Sequence, residues 1–188
     1  MKSLKLALIC GGPSKERGIS LNSARSVLDH TQALGVEIIP FFISQDLQYY
    51  SISTAQLYSN TPSDFDFKLQ QTSEPLDENG FIDALRESDL VFPCIHGAFG
   101  EDGQIQKLLE HYDNPYIGVD SICADEMYNK NKAAAFLEDK GYQTLQSLYL
   151  KRGEDIQGLE EFLAQTDQGR IVVKPAAGGS SIGVRSVE

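Results

Sequence analysis

Apolar residues in this sequence fall into short runs, and two of these, Leu4–Cys10 and Leu90–Ile95, lead through a glycine-containing turn into a stretch of helical period. Leu4 to Cys10 is such a run, interrupted only by Lys5, and reads as a buried strand ending in Gly11-Gly12-Pro13-Ser14. From about Leu21 to Ala33 the positions Leu21, Ala24, Val27 and Leu28 share one helical face, with Ser20 as candidate N-cap and Gly35 as the stop. Val36 to Ile43 predicts a second strand. Strand, glycine turn, helix, strand is the opening of a doubly wound α/β domain with a parallel sheet, whose ligands sit beyond the carboxyl ends of the strands. Leu90 to Ile95 predicts another strand, between short helices at Phe81–Glu87 and Gln104–His111. Residues 45–80 are rich in Ser, Gln, Asp and aromatics and show no clear period. They are expected to form an irregular insertion with room for one hairpin, its aromatics packing on their own domain.

The brief strand and turn Pro115-Tyr-Ile-Gly118 marks the expected boundary between a first domain, 1–118, and a second region, 119–188. In the second region the pattern predicts helices at Ser121–Met127 and Asn129–Lys140, a strand at Thr144–Leu150, a helix at Ile156–Ala164 and a strand at Arg170–Pro175. A β-like run from Ile182 to Val187 follows. The stretch Ile171 to Val184 therefore reads as strand, small polar loop, strand. Gly178, Gly179, Ser180 and Ser181 let backbone N–H groups approach an anion, and Lys174 at the base supplies a compact positive charge. This is not a Walker A loop, because the lysine precedes the glycines and no helix follows.

Composition narrows the classes. The 188 residues suffice for one compact domain or one and a half, and the net charge of −11 argues against nucleic acid or an anionic membrane as the main partner. Cys10, Cys94 and Cys123 are odd in number and far apart, without zinc or disulfide spacing, and the first two read as small core residues. With no signal peptide and no membrane-spanning run, the default is a reduced, cytoplasmic protein. Chemistry concentrates at His96-Gly-Ala-Phe-Gly-Glu101-Asp102-Gly103, a histidine at the carboxyl end of a strand followed by a glycine-rich acidic loop. Glu101 and Asp102 could equally serve the N-terminal dipole of the next helix. Lys130 and Lys132 sit in the first turn of a helix, electrostatically the wrong end for a cation, which makes Lys130 a candidate ligand residue.

Three separated motifs, GGPSKERGISLNSA (11–24), HGAFGEDGQIQKLLE (96–110) and VVKPAAGGSSIGV (172–184), resemble in order and spacing the D-alanine–D-alanine ligases of the ATP-grasp superfamily. PYIGVDSICADEMYNKNKAAAF (115–136) is similar to that family's link between its first and central domains. The resemblance implies a doubly wound first domain followed by the opening subdomain of an ATP-grasp fold, truncated at Glu188. It implies ATP and D-alanine as substrates, with Mg²⁺ held by ligands beyond Glu188 and no metal ligand within these residues. Carried over residue by residue, Glu16 binds the ammonium of the first D-alanine and Ser180 helps position that substrate. His96 lies near the substrate carboxylate and the transferring phosphate. Lys130 and Lys174 contact the nucleotide phosphates. Gly179, Ser180, Ser181 and Ile182 form a mobile phosphate-covering loop. A homodimer through the first domain is a plausible further expectation, by family analogy alone. This sequence departs from the family at Gly18, at Tyr128-Asn129-Lys130 and at Ala176-Ala177-Gly178. A chain of this length is expected to be inactive alone. The rival readings are a ligase for another amino-acid or hydroxy-acid pair and a non-catalytic binding module. A dinucleotide-binding oxidoreductase is disfavoured, because the first turn is Gly-Gly-Pro and no acidic residue ends the second strand at Ile43.

Overall fold

In a computed structural model, which describes residues 3–151, 153, 157–165 and 171–187, the run Lys5–Gly11 forms β1, buried at every position after Lys5. The contacts divide the chain into two compact units, Met1–Asp125 and Glu126–Glu188.

In the first unit, β1 is followed by α1 (Arg17–Thr31), a 3-10 turn (Gln32–Leu34) and β2 (Glu37–Ile43). Strand β2 runs parallel to β1, from Lys5 opposite Glu37 to Gly11 opposite Ile43. Next come β3 (Tyr49–Ser51), α2 (Thr54–Ser59), α3 (Pro62–Thr72), α4 (Glu78–Leu85), β4 (Leu90–Pro93) and α5 (Gln104–His111), and the division between the units falls within α6 (Ser121–Tyr128). Strand β4 is parallel to the other side of β1, and β3 closes the sheet as an antiparallel edge, giving the order β3-β2-β1-β4.

Side chains alternate across a strand, so β1 feeds two cores. Ala7 and Ile9 join Phe41, Ile43 and Val91 against α4 and α5, where Phe81, Ile82, Leu85, Ile105 and Leu109 are buried. Leu8 and Cys10 join Phe42 and Cys94 on the opposite face, under Leu21, Ala24 and Leu28 of α1 and Leu57, Phe65 and Leu69 of α2 and α3. Each fully buried side chain of this size contributes about 1.5–3 kcal/mol. Helices thus cover both faces of a mostly parallel sheet, the α/β arrangement expected, with Cys10 and Cys94 as free, buried core residues.

Two expectations are corrected in this unit. Residues 45–80 are not an irregular insertion but a strand and the helices α2, α3 and the start of α4. Ser53 and Gln56 form a capping box for α2, and Thr61 and Asp64 one for α3, with Pro62 at its first position. Their aromatics pack inward: Tyr49 stacks on Phe81 at 4.3 Å and Phe65 on Phe42 at 4.4 Å, although Phe67 is exposed. Helix α1 begins at Arg17, a turn before Leu21, so Ser20 is not its N-cap but a buried residue within it.

Both sheet edges are engaged. The Val91 N–H donates to Pro115 O and the Ile117 N–H to Val91 O, each at 2.9 Å, so 115–117 lies along the outer side of β4. On the far side, the Leu76 N–H donates to Tyr49 O at 2.8 Å.

The second unit contains α7 (Lys130–Asp139), α8 (Gln157–Gln165), β5 (Ile171–Val173) and β6 (Arg185–Val187). Strands β5 and β6 pair antiparallel, Ile171 opposite Val187, as the expected strand–loop–strand; the second strand starts at Arg185 rather than Ile182. The strand expected at Thr144–Leu150 does not form: a strand needs a neighbour for its ladder, and among the described residues none pairs with it. Ile156 and Arg170, the expected ends of two elements, lie outside the described residues.

Candidate active site

The first unit gathers its polar groups beyond the carboxyl ends of β1 and β4. Gly11 and Gly12 turn the chain off β1 with φ of 94° and 96°. A Cβ on Gly11 would stand 2.3 Å from Ile43 O, so only glycine fits there. The Gly11 N–H donates to Ser20 Oγ at 2.9 Å, which explains a serine buried in α1. The Glu16 N–H donates to Ser14 Oγ at 2.9 Å, and the Ser20 N–H to Glu16 O at 3.0 Å, leading the turn into α1. Glu16 itself is 4% exposed. Beside it, Arg17 forms a two-pronged ion pair with Asp66, tying α1 to α3.

From β4, the Cys94 N–H donates to Ile9 O at 2.7 Å, extending the pairing, and the chain delivers His96 and the loop 97–103. His96 Nε2 lies 2.9 Å from Ser23 Oγ of α1, and Nδ1 lies 3.5 Å from Glu101 Oε1. Glu101 Oε2 accepts the Gly97 N–H at 3.0 Å. Asp102 accepts the N–H groups of Phe99 at 3.0 Å and Gln104 at 3.2 Å, so it serves the entry to α5, whose N-cap is Gly103. A Cβ on Gly97 would fall 2.3 Å from Ser14 Oγ and 2.7 Å from Glu16 Oε2. The backbone of the histidine loop is therefore the floor against which the Glu16 carboxylate rests, and Glu16 and His96 belong to one site.

In the second unit, Asn129 caps α7 by accepting the N–H groups of Asn131 at 3.0 Å and Lys132 at 3.3 Å. The Lys130 N–H donates to Ala176 O at 2.8 Å and its ammonium to Gly178 O at 2.6 Å, which fastens the start of α7 to the loop between β5 and β6. That loop turns through positive φ at Gly178, Ser180, Ser181 and Gly183. Ser180 and Ser181 pay the left-handed cost of about 1–2 kcal/mol each that L residues meet there. Ser180, Ser181 and Ile182 are exposed at the tip, Gly179 is half-buried, and Lys174 is exposed at the end of β5. A cavity of about 440 Å³ between α7, residues 144–149 and α8 is lined by neither Lys130, Lys174 nor the tip residues 179–182.

The D-alanine–D-alanine ligase N-terminus family model matches residues 5–119. The chain belongs to the D-alanine–D-alanine ligase family. It is 32% identical over 192 residues to the D-alanine–D-alanine ligase of Streptococcus thermophilus, covering 100% of this chain and 53% of that one. The D-alanine–D-alanine ligase from Coxiella burnetii superposes with a TM-score of 0.82 at 26% identity over 98% of this chain and 56% of that one. The VanG D-Ala:D-Ser ligase from Enterococcus faecalis does so at 0.74, with 25% identity over 98% and 55%. The chain spans about half the length of the relatives it matches. Of the residues this geometry brings in, sequence reasoning missed Ser23, Ser14 and the Arg17–Asp66 pair. The signal for Ser23 was available: Ser20 and Ser23 interrupt the buried face of α1 at a spacing that points both toward the strand ends.

Proposed function

We propose that the chain carries the first-substrate and phosphate-contacting parts of an ATP-dependent D-alanine–D-alanine ligase. In that reaction the γ-phosphoryl group of ATP passes to the carboxylate of one D-alanine, the amine of a second attacks the acylphosphate, and phosphate leaves. A carboxylate is a poor electrophile, and phosphorylation supplies its leaving group. The protein's task is to hold several anionic groups together and balance their charge.

The observation that carries the reading is the Glu16 carboxylate, on a residue only 4% exposed and resting on the loop that bears His96. Taking a carboxylate out of water is costly unless a cation pairs with it, and the ammonium of an amino acid would offset that cost. Glu16 accordingly takes the ammonium of the first D-alanine, and His96 faces its carboxylate and the transferring phosphate. Lys130 and Lys174 contact the nucleotide phosphates, and Gly179, Ser180, Ser181 and Ile182 cover the γ-phosphate, with Ser180 also positioning substrate. The second unit suits a polyanion: one Lys130 donor is used by Gly178 O, two remain, and the tip is built of small residues. The donor set for Mg²⁺ is another matter. Among the described residues no group of three or more His, Cys, Asp or Glu could hold a metal, so no step is assigned to one here. The oxygen ligands Mg²⁺ needs belong, in this reading, to the half of the ligase length that these residues do not span. The reading makes the protein a cytoplasmic contributor of dipeptide to peptidoglycan precursors. No described helix is long and apolar enough to cross a membrane.

The test is ADP release and dipeptide formation by the full product of the gene, given MgATP and D-alanine. Turnover is expected there, and none from the 188 residues alone. Lys174→Ala should raise the KM for ATP sharply; an unchanged KM removes Lys174 from the site. A full product that releases no ADP with D-alanine overturns the reading. D-serine as second substrate is the alternative that the VanG neighbour favours, and direct competition between the two amino acids decides it.

A further inference from the structure

His96 is hydrogen-bonded at Nε2 to Ser23 Oγ, and its Nδ1 faces Glu101 Oε1 at 3.5 Å, a longer electrostatic contact. The second Glu101 oxygen accepts the Gly97 N–H, so the carboxylate is itself fixed. Ser23 reaches the ring from α1, one turn beyond Ser20, whose hydroxyl accepts the Gly11 N–H. One helix thus uses two serines to hold the ends of two neighbouring strands. We propose that Ser23 is a positioning residue for His96, holding the imidazole with its proton on Nδ1 and its plane fixed whether or not Nε2 is protonated.

The argument is one of donors and acceptors. An ionised carboxylate attracts an N–H and repels a bare ring nitrogen, so the proton is favoured on Nδ1, the side that faces Glu101, and Nε2 is left as the nitrogen whose proton varies. A hydroxyl serves both states of Nε2. It donates to the bare nitrogen and accepts from Nε2–H. A carboxylate at position 23 would favour the protonated ring alone, and alanine would leave Nε2 without a partner and free the ring about its second torsion. The groups at the ring are Ser23 from α1 and Glu101 from its own loop, and the Glu16 carboxylate lies beside the neighbouring Gly97. This rests on the reading of His96 as substrate-facing, where a ring that changes charge without turning can meet a carboxylate and then a phosphate in one orientation.

The experiment is a long-range proton–nitrogen correlation spectrum of the isotopically labelled chain at about pH 8, where an ordinary histidine is neutral. His96 should appear as one tautomer, protonated at Nδ1 and bare at Nε2. Ser23→Ala should convert it to a mixture of the two tautomers and Ser23→Thr should restore the single form, with His30 and His111 unchanged as controls for the fold. A wild-type His96 protonated at Nε2 overturns the proposal, as does a tautomer that Ser23→Ala leaves unmoved. Should Ser23→Ala fail to fold, the wild-type tautomer and Ser23→Thr decide, a mixed tautomer in the latter counting against it. No substrate is involved, so failure here leaves the ligase reading standing, and that reading falls separately on ADP release.

Discussion

Replacing Gly97 by alanine separates two costs that usually arrive together. Gly97 has φ of 74°, and its new Cβ would lie 2.3 Å from Ser14 Oγ, 2.7 Å from Glu16 Oε2 and 2.9 Å from Ser14 Cβ. Gly35 has a nearly identical φ of 71°, and a Cβ there would meet nothing within 4 Å. Both variants carry the left-handed penalty of about 1–2 kcal/mol. Both also gain the same few tenths to ~1 kcal/mol from a stiffer unfolded chain, which cancels in the comparison. Gly97→Ala alone adds overpacking, about 1–3 kcal/mol, because Ser14 Cβ sits on the backbone and cannot simply swing aside. Urea denaturation of the two variants and the wild type measures the difference. Gly97→Ala should lose about 1–3 kcal/mol more than Gly35→Ala. Equal losses would refute the reasoning, since they would mean that the loop at His96 does not press on Ser14 and Glu16.

Three further outcomes are expected. Glu110 accepts from Ser121 Oγ–H, the Tyr116 hydroxyl and the Ser121 N–H, and these bonds hold its carboxyl below the usual carboxylate range. A depressed folded value gives stability that is present above the unfolded value, about pH 4, and is lost as pH falls through the folded one. Glu110→Gln should therefore be less stable than wild type at neutral pH, the gap closing below about pH 4; a gap that persists in acid would contradict this. Asn129→Ala should cost about 1 kcal/mol and Asn129→Asp little, read from hydrogen exchange at the Asn131 and Lys132 amides. Unchanged exchange would show that the cap is idle. The Arg17–Asp66 pair, with side chains 16% and 27% exposed, should show a coupling of about 1–2 kcal/mol in a double-mutant cycle. Additive single losses would place the two residues out of contact.

The strands of the first unit were legible because buried parallel strands are written as continuous apolar runs, and Lys5–Gly11, Glu37–Ile43 and Leu90–Pro93 all are. Helices α2 and α3 were not, because they are short and their polar faces are built from the Ser, Gln, Asp and Thr that also make loops. Their capping boxes, Ser53 with Gln56 and Thr61 with Asp64, were the better signal. Thr144–Leu150 failed for the opposite reason. Its own pattern suits a strand, but a strand depends on a partner that local sequence does not specify. In the candidate site, His96 and Lys130 could be picked out by residue type and position, and Glu16 only through the family resemblance. Ser23 shares a helical face with Ser20, which is a signal in the sequence, but its task shows only in the structure, where Ser20 is buried in α1, Ser23 half-buried and its hydroxyl against His96.

The two stoppered sides of the sheet bear on how the first unit behaves in a crowded solution. A long bare ladder invites a second molecule to add its own strand, and from there to aggregate. Here one rim is a three-residue strand whose Tyr49 carbonyl is already taken by Leu76. The other is covered by 115–117, which begins with a proline that has no N–H to offer. A parallel sheet, slow to form and rich in Val, Ile and Phe, is thereby given little surface on which copies could stack edge to edge.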